Sequence, residues 1–434
     1  MRYYPNIPDL NADSSINLLL RRAKENRTVD IEEYVTTGGY SALKKALTKF
    51  TPEDIVVLVE ESTLRGRGGA GFPTGRKWRF ALSNPPPRYL ICNADESEPG
   101  TFKDRIIIER DPHLLIEGMA IAGYALGAEL GFIYIRGEYP AGAKILEDAI
   151  EDARKRGFLG KNILGTDFSF DILVYRGAGA YICGEETALI ESLEGKRGHP
   201  RLRPPYPANY GLFGKPTVVN NVETLSNIPI IVTYESYYMN IGSSGYYGPK
   251  LFPISGKVNK PGVYESTMDI TLRDLIDMAG GIRDGKKFKA VFSGALGVYS
   301  ERDLDTPMDY SPKGFGGTGT TIVLAEDDCI IDSLIVIAEF FEHESCGKCT
   351  PCRVGTYEQL NILRKFQQGT ATEEDIKLLE HLGRNIPVGS ICGLGYSASN
   401  AIMDALRKFR DEFYEHIRGN CPAGICFKNE YNIG

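Results

Sequence analysis

Arg88-Tyr89-Leu90-Ile91-Cys92-Asn93 is a short β-prone run that ends in an acidic turn, Asp95 to Glu98, and the segments after it set the architecture. Helix-period and strand-period segments alternate: 112–127 helical, 131–136 extended, 141–156 helical, 170–176 extended and 185–194 helical. Alternation of that kind predicts a mostly parallel, Rossmann-like sheet covered by helices. On the N-terminal side, residues 1–60 read as a helical segment with amphipathic pieces at Ser41–Leu47 and Pro52–Glu61, and the α/β unit spans 61–245. The Pro-rich run from Pro200 to Pro216 leaves that unit as an irregular loop.

A second unit, 246–326, holds a hairpin (Phe252–Val258 with Gly262–Glu265), a helix over 271–279 stopped by Gly280-Gly281, and a strand from Phe288. It reads as a small β-grasp-like α+β domain, with Gly as the helix stop. The last unit, 327–434, is helical. Segments 328–341, 354–367, 372–382 and 397–418 imply an antiparallel four-helix bundle, with Asp375 three residues after Thr372 marking one helix start. The whole is a multidomain α/β protein.

Composition narrows the function classes. The chain has 434 residues, 42% of them hydrophobic and 25% charged, with a net charge of −7. That is enough for several packed domains, and it gives no electrostatic case for nucleic acid. The start, Met1 to Pro5, lacks a signal-peptide core, and the longest apolar stretch, Ile330–Phe341, is broken by Asp332, Ser333 and Glu339. Nine cysteines without a secretion signal point to a reducing, cytosolic compartment and to metal rather than disulfides.

Four of the nine carry a pattern. Cys346-x-x-Cys349-x-x-Cys352 would lie between the first two bundle helices and Cys392 between the last two, so both loops can meet at one end. Four thiolates in this arrangement suit a [4Fe–4S] cluster. Zinc is the nearest competitor, although its sites usually come as two separated Cys-x-x-Cys pairs. A non-catalytic scaffold with zinc at these loops would be colourless, whereas flavin and iron–sulfur proteins are yellow-brown. Gly66-x-Gly68-x-x-Gly71 formally matches a dinucleotide fingerprint, but the preceding segment is helical and Phe72-Pro73 is expected to begin no helix. Its glycines still allow backbone N–H groups to approach a flat or anionic ligand, with Arg67 and Lys77 adding positive charge for phosphate; a mobile glycine loop is the plain alternative.

Read together, these strings carry a family resemblance. Gly66–Gly75 with Lys77-Trp78, Cys92–Gly100, Gly177–Ala188 and Glu342–Gly355 resemble, in order, the flavin loop, the two following motifs and the [4Fe–4S] motif of the NADH-binding flavoprotein subunit of respiratory complex I, the 51 kDa-type family. The resemblance covers essentially the whole chain. It implies FMN at Gly66, Arg67, Gly68, Lys77, Asn93, Asp95, Glu96, Gly184, Glu185, Asn220, Asn221 and Thr224. Phe72, Phe80 and Tyr181 would stack on NADH, with Glu98 and Glu186 reaching its hydroxyls or carboxamide, and Cys346, Cys349, Cys352 and Cys392 would hold the cluster. On that resemblance NADH would deliver a hydride to FMN, which would pass electrons singly to the cluster.

The same resemblance implies partners: a small thioredoxin-like [2Fe–2S] subunit and a larger iron–sulfur subunit, on the cytoplasmic face of a membrane-bound complex, with no nucleic acid. Without further fused domains the chain fits the complex I subunit, the alternative being the diaphorase subunit of an NAD-linked hydrogenase or formate dehydrogenase. No protein acid or base is needed for the hydride. Asp95, Glu96 and Glu98 are expected to tune the flavin; taken alone they are a solvated acidic turn, Asn220-Asn221 a turn or helix cap, and the aromatics ordinary core. Cys92 and Cys183 are expected to be buried as small apolar residues. None of the five histidines, His343 included, is needed as a ligand. Cys421 and Cys426 fit no motif; they read as free thiols, with a tail disulfide or adventitious metal as alternatives.

Overall fold

The structure is a computed structural model that describes residues 17–23, 26–243, 245–294 and 296–427; the chain start and the positions after Phe427 lie outside it. Three short helices lead in: α1 (Ile31–Thr36), α2 (Ser41–Lys49) and α3 (Pro52–Glu61). α3 starts sharply because Thr51 and Asp54 form a reciprocal capping box and Pro52 occupies the first turn. The glycine run follows and, contrary to expectation, does open a helix, α4 (Thr74–Leu82), with Pro73 at its N-cap. The fixed φ of Pro73 launches the chain into the helix.

The remaining α/β elements are β1 (Tyr89–Ala94), α5 (Lys103–Arg110), α6 (Pro112–Leu126), β2 (Leu130–Ile135), α7 (Pro140–Lys155), β3 (Asp171–Arg176), α8 (Glu186–Leu193), β4 (Thr217–Asn221) and α9 (Val222–Tyr234). The four strands pair in parallel in the order β3-β2-β1-β4, with Cys92 beside Asn220 and Asn93 beside Asn221. The chain leaves β1 for β2 on one side and returns as β4 on the other. The carboxyl ends of β1 and β4 therefore form a topological switch point, where open α/β sheets bind ligands.

Strand alternation sends side chains to two cores. Leu90, Cys92 and Ala94 are buried with Leu115 and Met119 of α6 and Leu225 and Ile228 of α9. Ile91 and Val219 face the other way, into a core shared with Leu189 of α8 and the C-terminal helices. Helix α6 is buried almost all round, so its apolarity has no periodic face. It lies close on α9 because Pro229 cannot donate to the Leu225 carbonyl, and a side chain at Gly118 would collide with that same carbonyl.

A two-residue hairpin, β5 (Gly242–Ser243) with β6 (Tyr246–Tyr247), leads to a mixed five-stranded sheet of order β10-β9-β11-β7-β8. Its parts are β7 (Lys250–Gly256), β8 (Gly262–Ser266), α10 (Leu272–Met278), β9 (Phe288–Phe292), β10 (Val298–Ser300) and β11 (Thr321–Ala325). The expected hairpin is β7–β8.

The C-terminal region has more helices than the four expected: α11 (Ile330–Glu344), α12 (Thr350–Gln368), α13 (Glu373–Val388), α14 (Gly393–Ser397), α15 (Asn400–Lys408) and α16 (Arg410–Ile417). The segment read as one helix over 397–418 breaks at Phe409, whose backbone leaves the helical region (φ −129°, ψ 31°). The break redirects α16 so that Phe413 and His416 are fully buried. Thr372 and Asp375 form the expected helix start as a full capping box.

Candidate cofactor crevice and cluster cavity

The glycine loop is pinned across the β1–β4 crevice. Its backbone closes on itself through Gly66 N–H to the Phe72 carbonyl (2.9 Å), and the Arg67 N–H donates to Thr224 Oγ1 at 2.8 Å. Gly68 lies so close to Asn221 that a Cβ there would be 3.2 Å from the Asn221 Cβ. The glycines thus bring bare backbone to the strand ends, where a planar ligand can lie against it.

Arg67 does not meet the expectation of a phosphate cation. Its side chain is fully buried and turned away, with guanidinium donors on the Pro249 carbonyl (3.1 Å) and Met268 Sδ (2.9 Å) and with Glu223 at 3.8 Å. It anchors the loop to the five-stranded sheet. Lys77, on α4, is the cation at the crevice: its ammonium donates to the Val219 carbonyl (2.8 Å) and to Glu186 (2.7 Å). Lys77 and Arg203 hold the Glu186 carboxyl below the usual carboxylate range, against its burial.

The asparagines are set by neighbours. Asn93 donates to the Gly184 carbonyl (2.8 Å) and accepts from the Asp95 N–H (3.1 Å). Asn220 accepts from the Trp78 indole (2.9 Å). Asn221 caps α9 by accepting from Glu223 N–H (2.9 Å) and donates to Asp104 (2.6 Å), so the helix-cap reading of that pair holds for Asn221. Glu96 also caps a helix, accepting the N–H groups of Asp104 (2.7 Å) and Arg105 (3.0 Å) at the start of α5. Glu185 does the same for α8 through Thr187 and Ala188. The acidic turn is therefore not simply solvated. Asp95 accepts from Ser97, and burial pushes its carboxyl up to about 7. Glu98 accepts from Thr318 at 2.8 Å.

Phe72 and Phe80 lie beside the loop with ring centroids 6.3 Å apart, and both are nearly half exposed (44% and 46%). Large aromatics left open at a crevice mouth are surfaces on which a flat ring can stack. Tyr181 is placed differently: its ring packs edge-on against Phe340 (4.9 Å), and its N–H donates to Glu344 (2.9 Å).

Cys346, Cys349, Cys352 and Cys392 come together, as the spacing predicted. All four line one small cavity with Ile182, Pro200 and Ser345. Cys349 occupies the N-cap of α12 and Cys392 that of α14, so helix N-termini face the sulfurs. Burial pushes the thiols of Cys352 and Cys392 up, the latter to about 11, so four thiolates converge here only around a strongly cationic group. Four cysteines converging on one point is the ligand set of a cubane cluster. The glycine backbone, the Lys77 ammonium and the paired asparagines likewise fit a flavin nucleotide.

The 3₁₀ turn Tyr181–Gly184 lies between the two. Gly184 meets Asn93 and Asp95 at the crevice, and Ile182 lines the cysteine cavity. Cys92 and Cys183 are buried, as expected, and the His343 side chain is exposed. Sequence reasoning missed Asp104 and the bond by which Trp78 holds Asn220, together with β4, α5 and α9; only the spacing of Asn221 and Glu223 could have flagged the α9 cap.

Comparison with known proteins agrees with this geometry. Residues 59–230 match the Nuo51 FMN-binding domain, residues 332–416 the NADH-ubiquinone oxidoreductase-F iron-sulfur binding region, and residues 251–295 the SLBB domain. These matches are those of a flavoprotein that also carries an iron–sulfur cluster. The F subunit of the NADH-quinone oxidoreductase of Aquifex aeolicus is 63% identical over 96% of this chain and 98% of its own. The HndC subunit of the NADP-reducing hydrogenase of Solidesulfovibrio fructosivorans is 46% identical over 91% of this chain and 82% of its own. A crystal structure of NAD+-reducing [NiFe]-hydrogenase in the H2-reduced state superposes with a TM-score of 0.81 at 38% identity, covering 90% of this chain and 67% of that one. The chain belongs to the family of NADH-quinone oxidoreductase F subunits, whose cofactors are FMN and a [4Fe–4S] cluster.

Proposed function

We propose that this chain is the electron-entry subunit of a respiratory NADH:quinone oxidoreductase, oxidising NADH at the β1–β4 crevice and delivering electrons to the cysteine cavity. The observation that carries this reading is the single turn Tyr181–Gly184, which touches both sites. When bound, FMN supplies the conversion of a hydride pair into single electrons, and the cluster carries them onward.

The chain's own residues bind and orient. Gly66 and Gly68 present backbone to the flavin, and Lys77 supplies positive charge for its phosphate. Asn93, Asn220 and Asn221 offer both donors and acceptors to the ring edge, and Gly184 brings the bridging turn against it. Thr224, Arg67, Glu96 and Glu185 hold the frame by pinning the loop and capping helices. Phe72 and Phe80 receive the nicotinamide or adenine ring, with Glu98 and Glu186 at its hydroxyls. Tyr181, packed edge-on against Phe340, stiffens the turn, with stacking on the nucleotide the role the resemblance implies for its ring. Cys346, Cys349, Cys352 and Cys392 ligate the cluster.

Among the described residues no helix is long and apolar enough to cross a membrane, so contact with a membrane arm would be indirect. The exposed Val336, Val354 and Tyr357 on α11 and α12 offer surface for the small thioredoxin-like [2Fe–2S] subunit, with a larger iron–sulfur subunit beyond it in the peripheral arm on the cytoplasmic face. A diaphorase role in a hydrogenase is the second reading, favoured by the likeness to HndC and to the NAD+-reducing hydrogenase. Identification of co-purifying subunits separates the two. The deciding test is an anaerobic NADH titration of the purified protein read by visible absorbance and low-temperature EPR. Flavin bleaching with a reduced [4Fe–4S] signal is expected; a colourless, unresponsive protein overturns the reading.

A further inference from the structure

Four metal-ligating side chains outside the redox sites meet behind the bundle. Cys329 precedes α11, His416 lies in the last turn of α16, and Cys421 and Cys426 lie in the tail. Their ligand atoms all fall within 4.8 Å of one another. Cys329 Sγ is 3.4 Å from His416 Nε2 and 3.8 Å from Cys426 Sγ. A tetrahedral zinc with bonds of ~2.3 Å to sulfur and ~2.0 Å to nitrogen spaces its ligands by ~3.8 Å (S to S) and ~3.6 Å (S to N). The observed separations are those of a mononuclear site, too tight to enclose a four-iron cubane.

The donors are also prepared for a metal. His416 is fully buried, and its Nδ1 is 2.7 Å from the Glu412 carbonyl. A carbonyl only accepts, so Nδ1 carries the proton and the Nε2 lone pair faces the sulfurs, the usual support for a ligating histidine. The two tail cysteines are set by a tight turn in which Gly424, at φ +66°, donates to the Cys421 carbonyl (2.8 Å). Cys329, Cys421 and Cys426 are each 8% exposed or less. Three buried sulfurs and one buried nitrogen, with no bond joining the sulfurs, form the donor set of a structural zinc site.

We infer that Cys329, His416, Cys421 and Cys426 hold one zinc ion that fastens the C-terminal tail to the junction between the five-stranded sheet and the helical region. On binding, the thiols release their protons to solvent and the ion takes the sulfurs as thiolates. The junction already converges at this point: Glu412 pairs with Lys289 of β9 (2.5 Å) and accepts from the Ile330 N–H (3.2 Å) at the start of α11. Zinc would add the tail to that junction, at a site distinct from the cysteines of the redox cavity.

The test is elemental analysis and zinc K-edge absorption of the purified holoprotein. About one zinc per chain, bound by three sulfurs at ~2.3 Å and one nitrogen at ~2.0 Å, is expected in addition to the cluster iron. A Cys421→Ala/Cys426→Ala variant should lose that zinc while keeping its iron and flavin, and its tail should gain protease sensitivity several-fold. Zinc below a tenth of an equivalent in the wild type overturns the assignment, as does zinc retained in the double variant. A Cys421–Cys426 disulfide by mass spectrometry, or iron in place of zinc at this site, also overturns it.

Discussion

The backbone N–H of Tyr181 donates to the Glu344 carboxylate at 2.9 Å, tying the turn after β3 to the end of α11, where the cysteine loop begins. The strand-end crevice and the cysteine cavity are thereby linked by a charge-assisted hydrogen bond and an aromatic contact, Tyr181 on Phe340. Such a bond to a carboxylate contributes about 1.5–3 kcal/mol. Glu344→Ala is expected to lower the thermal midpoint by a few degrees and to slow cluster reduction after NADH addition, while flavin bleaching keeps its rate. Stopped-flow absorbance at separate flavin and cluster wavelengths checks this; equal slowing of both steps would remove the turn from the electron route.

Cys349 both starts α12 and lines the cysteine cavity. Cys349→Ser should lose the broad iron–sulfur absorbance yet retain most of the flavin, because the glycine loop and the asparagines that form the crevice stand on other elements. Iron and flavin content of the purified variant measure this directly. An unchanged iron content would sink the ligand assignment.

Lys77 reaches the crevice ends of the strands with its side chain, through the Val219 carbonyl. Lys77→Met removes a charged donor, which at about 1.5–3 kcal/mol corresponds to roughly 10–150-fold weaker FMN binding. Fluorescence titration of flavin into the deflavinated protein reads the constant. Arg67→Met should instead act on folding, since that guanidinium is buried away from the crevice.

Phe72 and Phe80 are open enough that truncation costs little packing. Phe72→Ala and Phe80→Ala are expected to raise KM for NADH by roughly 5–30-fold, the equivalent of about 1–2 kcal/mol of lost stacking, with an unchanged thermal midpoint. Steady-state kinetics with ferricyanide as acceptor checks this. An unaltered KM in both variants would place the nucleotide elsewhere.

Asp95 gives a pH signature. Burial raises its carboxyl in the fold to about 7, so between roughly pH 4 and 7 the folded state keeps a proton that the unfolded chain has lost. Its contribution is fully present below about pH 4 and is lost as pH rises through 7. Asp95→Asn should therefore flatten the fall of stability with pH relative to wild type. Thermal midpoints of the two proteins across that window decide it; parallel curves would mean that Asp95 ionises normally.

Local periodicity and short spacing were legible in the amino-acid order alone. The strand at Tyr89–Ala94 and the helix–strand alternation after it predict a mostly parallel sheet, and the Cys-x-x-Cys-x-x-Cys spacing brings three sulfurs to one helix start. The break at Phe409 was not legible, because burial of Phe413 and His416 rather than local propensity redirects that helix. Which residues act through space was settled by the packing. Arg67 turns from the crevice because a buried carbonyl and Glu223 claim it, and Glu96 is taken as a helix cap. Cys329 meets His416 from 87 positions away. A one-dimensional pattern cannot encode such meetings, since they depend on how two separate cores orient the elements between them.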